Sequence, residues 1–483
     1  MSIGLLAAAP LLILHLDFNS VQMKKTAVEG ILDRAAEMGY NAVLWEIENK
    51  VKWEKYPEIV DEEAFSKAEF KEILAHAKKL GLQPIPLLQI LGHGEYVLMK
   101  GGHKEWMEDE SFPACYCVSN PEVRRFFKDM IHEYLELFGE EVKDFHLGCD
   151  EAKSFYKCAK CREHASKLAL FLEHFNEVTA ELKAKGIKPG IWCDFLFDNR
   201  DTPEVKAMAK TVTAWFWDYR TSDYRAVINE CRWQGEMAVF DELGYEQIMA
   251  SSSESYLDSS YLPRYADHGP NVVWGSRFAR ERNYRGHCVT SWSMHCSPKC
   301  TQYALWEAAA KVWKNPKIDG RKALDDACVK YYGMPLVTME KLTNWERDFA
   351  DFQGEEWGRF IKPSMPAPKT AFKGMVKIVR NQIAEEGNDY ASEMATEIAW
   401  YRRQVKSGLK DMGEAKTELG AVIKEGAELQ LCYLDVLEAA LKGERHPDIP
   451  EARSAKYYGL EQAPKSAALS AKITWSGFYG ELK

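Results

Sequence analysis

Outside its N-terminal segment this 483-residue chain has no run of 18 apolar residues, so no transmembrane helix is expected. It also has no block of lysine and arginine and no basic stripe interleaved with aromatics. With 63 basic and 73 acidic residues the formal net charge is -10, and nucleic acid is not an expected partner. The phosphate-cradling pattern GxxxxGK[ST] and the zinc-protease pattern HExxH are both missing. No repeat period is visible. The opening stretch MSIGLLAAAPLLILHLDF has no positively charged region ahead of its apolar residues. It therefore reads as the approach to a buried strand rather than as a secretion signal, although Ala7–Ala9 resemble a cleavage site. A cytoplasmic protein is the expectation, with a cleaved leader as the alternative. The 12 cysteines include Cys149, Cys193 and Cys288 inside apolar runs, a usage that fits buried free thiols and not a disulfide scaffold.

The chain does have short apolar runs alternating with amphipathic stretches. The strand-like runs are Leu11–Phe18, Asn41–Glu48, Gln83–Gln89, Val142–Gly148, Lys188–Asp194, Thr211–Asp218, Gln247–Ser253 and Gly286–Trp292. Helical patterns fill most gaps: Val21–Met38, Glu62–Leu80, Pro121–Leu137 and Cys158–Lys185. Continuous apolar runs mark strands buried on both faces, hence a parallel sheet. Eight such units in about 300 residues predict a (β/α)8 barrel. Beyond Asn315 strand signals nearly vanish and long polar-faced helices take over. The predicted organisation is a catalytic barrel over 1–315 and a mostly α-helical C-terminal region over 316–483, with the Pro-rich Lys362–Thr370 as a connector.

Barrel enzymes place their chemistry at the C-terminal ends of the strands. Read in order, those ends carry His15, Asp17 and Asn19; Glu46 and Glu48; Gln89, then His93 and Glu95; Asp150 and Glu151; Trp192 and Asp194; Trp215, Trp217, Asp218 and Tyr219; Ser251–Ser253; and Trp292. Singly, each has a plain structural explanation: an acid can cap a helix, a histidine can satisfy a core, a tryptophan can fill a barrel. Their recurrence at strand end after strand end favours function. Acids cleave glycosides by protonating the leaving oxygen, and aromatic faces bind sugar rings, so the rim reads as a glycosidase site.

The motif HLGCDEA, with PLLQILGHGEYVL upstream and WFWDY and VTSWS downstream, resembles glycoside hydrolase family 20, the β-N-acetylhexosaminidases. Content and order of these motifs are nearest to the hexosaminidase D-like members, over roughly Leu11 to Pro298. The resemblance implies a substrate-assisted retaining mechanism through an oxazolinium intermediate, acting on terminal GalNAc or GlcNAc of a glycan. It further implies roles. Asp150 would hold the acetamide N–H, and Glu151 would serve as general acid and base. Tyr219 would bond the acetamide oxygen, and His93 would support the catalytic glutamate with Glu48 behind it. Trp192, Trp217 and Trp292 would line the acetamide pocket or floor the sugar. Asp17 and Asp194 would bind hydroxyls, and Gln89 joins this substrate-binding set. The first strand lacks the arginine that many family members use to clamp sugar hydroxyls; His15, Asp17 and Asn19 stand there instead. The alternatives are a glycosidase of other sugar preference and a silent glycan-binding barrel. No cofactor is expected, and a homodimer is an open expectation. The CxxC of Cys158 and Cys161, with the close pairs Cys115/Cys117 and Cys296/Cys300, raises a structural zinc site. No second CxxC sits at finger-like spacing, so the expectation is no metal.

Overall fold

The computed structural model describes residues 9–475 except 20, 112, 220–233, 256–257, 293–296, 345–387, 443 and 445–446. Eight parallel strands close on themselves: β1 (Leu11–Asp17), β2 (Ala42–Glu46), β3 (Gln83–Leu87), β4 (Asp144–His146), β5 (Lys188–Trp192), β6 (Thr213–Trp217), β7 (Glu246–Glu254) and β8 (Gly286–Ser291). Ile13 faces Ala42, Ala42 faces Gln83, and Leu11 meets Gly286 where β8 returns to β1. This is the expected (β/α)8 barrel.

Alternation along each strand explains both the core and the site. On β1, Leu12, Leu14 and Leu16 face the surrounding helices, while Leu11, Ile13, His15 and Asp17 face inward. The inward positions thus run from apolar to polar along the strand. On β2 they are Ala42, Leu44 and Glu46, and β3 continues past Ile85 and Leu87 to Gln89. At the N-terminal mouth Arg285 bridges Asp144 at 2.6 Å and Glu246 at 2.7 Å, and Lys188 reaches Glu246 at 2.9 Å. That end is closed by ion pairs, and the opposite end carries the unusual chemistry.

Local signals set the outer helices. Helix Lys67–Lys79 opens on a reciprocal capping box between Ser66 and Glu69. Helix Pro121–Phe138 starts with an Asn120 cap and a proline in its first turn. The single helix expected over Cys158–Lys185 is in fact three: Ala159–Arg162, Lys167–Val178 and Ala180–Ala184. Ser166, extended at φ -163°, caps the second, and Thr179 bonds back to the Phe175 carbonyl at 2.7 Å where it ends. The fifth strand stops at Trp192, so Asp194 lies in the first turn of helix Cys193–Asp198 and not on the strand.

The C-terminal region is helical as expected: Gly320–Tyr332, Leu336–Thr343, Asn388–Met412, Glu418–Lys442, Glu451–Tyr458 and Pro464–Trp475. The Lys362–Thr370 connector, Met1–Ala8 and Cys296 lie outside the described residues. The last helices dock on loops at the catalytic mouth. The Gln22 N–H donates to Ser466 at 2.9 Å and the Ala463 N–H to the Gln22 carbonyl at 2.8 Å. Glu461 accepts the N–H groups of Lys299 and Cys300. Tyr457 donates to the Tyr261 carbonyl, and Gln430 accepts from Ser259. No helix among the described residues is long and apolar enough to cross a membrane.

Candidate active site

The floor of the mouth is a cluster of rings in tilted and edge-on contact. His146 at the end of β4 lies 4.4 Å from Trp192 and 4.7 Å from Trp215, centroid to centroid. Trp192 is 6.0 Å from Trp292, which meets His15 edge-on at 4.7 Å. The backbone N–H of Gly148 donates to His146 Nδ1 at 3.0 Å, so Nε2 carries the proton of the neutral ring. Burial holds this imidazole down at about 3, so it stays neutral at physiological pH. His146 Nε2 and Trp192 Nε1 are both buried without a partner.

Above the floor, the turn after β4 brings out the two acids. Gly148 has φ +65°, and a Cβ there would lie 1.7 Å from Gln89 Oε1, so only glycine fits. Cys149 and Glu151 follow at φ +77° and +44°, and Glu48 and His93 on neighbouring strand ends are also left-handed. Such conformations are costly for non-glycine residues, and here four cluster around one mouth. They let Asp150 and Glu151 depart from strand alternation.

Asp150 is buried, and its Oδ2 accepts from His93 Nε2 at 3.2 Å. Burial would raise the Asp150 carboxyl, but the His93 charge and hydrogen bond outweigh it and hold it below the usual range. Burial works against the His93 cation too, yet Asp150 raises it well above an ordinary imidazole. The two form an ion pair. His93 therefore braces Asp150, where support of Glu151 was expected. Asp150 Oδ1 is buried and has no partner. Glu151 is half-buried at the mouth.

On the other wall Trp292 Nε1 donates to the Tyr219 hydroxyl at 3.0 Å, and Tyr219 packs on Trp217 with centroids 5.5 Å apart. Trp217 Nε1 donates to Asp194 Oδ2 at 2.8 Å. Burial and the nearby Asp150 charge push the Asp194 carboxyl up to about 7. The structure thus brings together Asp150, His93, Asp194, Trp192, Trp217, Tyr219 and Trp292.

Three expected residues have partners within the protein. Gln89 donates to Glu46 Oε1 at 3.3 Å, and Glu46 Oε2 meets His15 Nε2 at 3.1 Å, so Gln89 extends a buried polar layer. Asp17 turns back to accept the Asn19 N–H at 2.8 Å. Glu48 is buried, and its charge bears on the hydroxyls of Tyr96, Tyr116 and Tyr134. The charges that bear most on His93 are those of Asp150, Glu95 and Glu151.

Sequence reading passed over two residues of this mouth and gave a third no role. His146 stood inside the HLGCDE motif. Trp215, read at the sixth strand end without a role, sits two positions before Trp217, on the same inward face. Glu254 at the end of β7 gave no signal. It is fully buried and ion-paired with Lys299 at 2.7 Å, and it also accepts from Gln302 at 2.9 Å. Among the described residues the one cluster with metal-ligand geometry, Glu108, Cys117, Cys158 and Cys161, lies apart from these groups, farther along the β3 and β4 loops.

Residues 44–315, more than half of the chain, match the family model described as glycosyl hydrolase family 20, catalytic domain. The human protein "Hexosaminidase D" is 31% identical over 222 residues, covering 43% of this chain and 44% of that protein. Its Bos taurus counterpart is 29% identical over 219 residues, covering 43% of this chain and 62% of that one. The matched stretch thus spans less than two thirds of either relative. Among solved structures, the Flavobacterium johnsoniae chitobiase superposes with a TM-score of 0.51 at 14% identity, over 96% of this chain and 78% of that one, a likeness of fold. With the family's catalytic domain matched from β2 through the helix after β8, and an acid pair raised at the barrel's catalytic mouth, this chain belongs to glycosyl hydrolase family 20.

Proposed function

We propose that this chain is an exo-acting β-N-acetylhexosaminidase that cleaves terminal β-linked GalNAc or GlcNAc with retention. In this reading the substrate supplies its own nucleophile. The acetamide oxygen attacks the anomeric carbon as the bond from that carbon to the leaving oxygen breaks; Glu151 protonates the leaving oxygen, the aglycone departs as an alcohol, and an oxazolinium bonded through the acetamide oxygen remains. Glu151 then takes a proton from water, and the water oxygen displaces the acetamide oxygen from the anomeric carbon. Positive charge develops on the acetamide nitrogen, so a fixed anion beside its N–H stabilises the transition state more than the ground state.

The observation that carries this reading is the Asp150 carboxylate. One oxygen is held by His93, the carboxyl is kept ionised, and the other oxygen is buried and waits for a donor. An unpartnered buried acceptor is costly, and a substrate N–H would satisfy it. The hydrogen-bonded Trp292–Tyr219 pair offers a hydroxyl for the acetamide oxygen, and the Trp192, Trp217 and Trp292 rings suit its methyl group and the sugar face.

The test compares aryl β-glycosides that differ only at C2. The 2-acetamido sugars should turn over, and the 2-hydroxy sugars should be cleaved negligibly even when saturating. A thiazoline analogue of the bicyclic intermediate should bind far more tightly than the free sugar. Efficient 2-hydroxy cleavage, or a 2-fluoro sugar trapped as an ester on an aspartate or glutamate, would replace this mechanism with the two-carboxylate one. Binding without turnover of any aryl glycoside would leave a silent glycan receptor.

A further inference from the structure

Away from the reacting groups, three thiols and one carboxylate converge. Cys117 Sγ lies 3.5 Å from Cys158 Sγ and 3.7 Å from Cys161 Sγ, and Cys161 Sγ lies 3.0 Å from Glu108 Oε2. All four ligand atoms are within 4.8 Å of one another. Cys117, Cys161 and Glu108 are buried and Cys158 half-buried. We propose that Glu108, Cys117, Cys158 and Cys161 form a structural zinc site.

Geometry separates this from a disulfide. A disulfide needs sulfurs at about 2.05 Å, and three thiols would leave one over. Tetrahedral zinc with bonds of about 2.3 Å holds its sulfurs roughly 3.8 Å apart, close to the spacing found here. Soft thiolates with one carboxylate oxygen suit Zn2+ over Mg2+ or Ca2+, and four protein ligands leave no open position for catalysis.

The surroundings hold the donors in place. The chain doubles back so that Met107 bridges Tyr116, the Glu108 N–H donates to the Cys115 carbonyl, and the Cys117 N–H donates to the Trp106 carbonyl. That hairpin sets Glu108 beside Cys117. Glu108 Oε1 accepts the N–H groups of Lys157 and Cys158 at 2.5 and 2.7 Å, which turns Oε2 toward the thiols. The Cys161 N–H donates to Cys158 Sγ at 3.3 Å, and Ser119 Oγ donates to Cys161 Sγ at 3.1 Å. Donors to sulfur are the outer-shell support that metal-bound thiolates need. The site would staple the loop after β3, which carries His93, to the loop after β4, which carries Asp150 and Glu151.

The decisive measurement is metal content of the full chain, produced with zinc supplied and purified without chelator. Elemental analysis should give about one zinc per chain, and the Cys158→Ser/Cys161→Ser double variant should give under about 0.1. Cobalt added to chelator-stripped wild type should produce thiolate-to-metal charge transfer and the intense visible bands of a tetrahedral ion. Glu108→Gln keeps the thiols and should weaken metal retention at least about tenfold against a competing chelator. Wild-type protein that carries less than about 0.1 zinc and gives no cobalt spectrum would overturn the site. So would a Cys117–Cys158 disulfide found by mass spectrometry in the isolated protein, or stoichiometric iron in place of zinc. None of these readouts depends on the sugar hydrolysed.

Discussion

Glu151 is presented on a left-handed residue one position after the buried Asp150, so the two acids meet the same volume in different states of solvation. In its proposed role of general acid, Glu151 matters most when the leaving group is poor. Glu151→Gln should cut kcat by about 10²–10⁴-fold on natural or unactivated aglycones. Activated aryl substrates should lose less, and equal losses across a series of aryl leaving groups would remove the acid assignment. Asp194 is a second residue-scale handle. Its carboxyl sits at about 7 because it is buried beside Asp150, and it is held by Trp217. One inflection of kcat/KM near neutral pH should therefore belong to Asp194, and Asp194→Asn should abolish it. An inflection that survives the substitution belongs to another group. For stability the sign follows from the ion pair. Asp150, lowered, contributes stability above the ordinary carboxylate range and loses it as pH falls; His93, raised, contributes below the ordinary imidazole value and loses it as pH climbs through its folded value. His93→Gln should consequently lower Tm most at mildly acidic pH and least in strong alkali, as read by a Tm series across pH.

At the scale of elements, the strand ends were legible because strands buried on both faces leave unbroken apolar runs, and the first polar residue after each run marks the mouth. All eight runs became strands. Less legible was anything decided by a turn. Asp194 was read as a strand end because WCD continues the apolar run, yet the chain enters a helix at Cys193. The pairing of His93 with Asp150 instead of Glu151 depends on left-handed backbone that residue types alone do not announce. The thiol cluster was legible only as separate pairs, Cys158/Cys161 and Cys115/Cys117, because Cys117 and Cys158 are 41 residues apart and belong to different loops. The turn after β4 gives a direct test. Gly148→Ala would suffer both the positive φ, about 1–2 kcal/mol, and collision with Gln89, about 1–3 kcal/mol. We expect a lower denaturation midpoint and at least a tenfold loss of kcat/KM as Asp150 shifts. Adding Gln89→Ala should return part of the stability; if it returns none, the backbone conformation alone is responsible.

For the whole molecule, the C-terminal helices are fastened to the loops of β1 and β7 and to the segment after β8. Tyr261, Tyr457, Tyr458 and Trp475 are buried together across that junction. A chain ending at Asn315 should therefore expose this surface and aggregate, as light scattering and size-exclusion chromatography would reveal. A monodisperse, fully active shortened protein would make the region an independent module. The same junction also has a temporal side. Gln22 and Ser466 are 444 residues apart in the chain. At roughly 5–20 residues per second, a ribosome takes about 20–90 s between making one and making the other. Throughout that interval the first loop of the barrel lacks the contacts that Ala463 and Ser466 supply, and Tyr261 lacks the cover of Tyr457 and Tyr458 once it is made. The nascent barrel must therefore wait with this side of its mouth unbraced, and the contact becomes available only once Ser466 has been made.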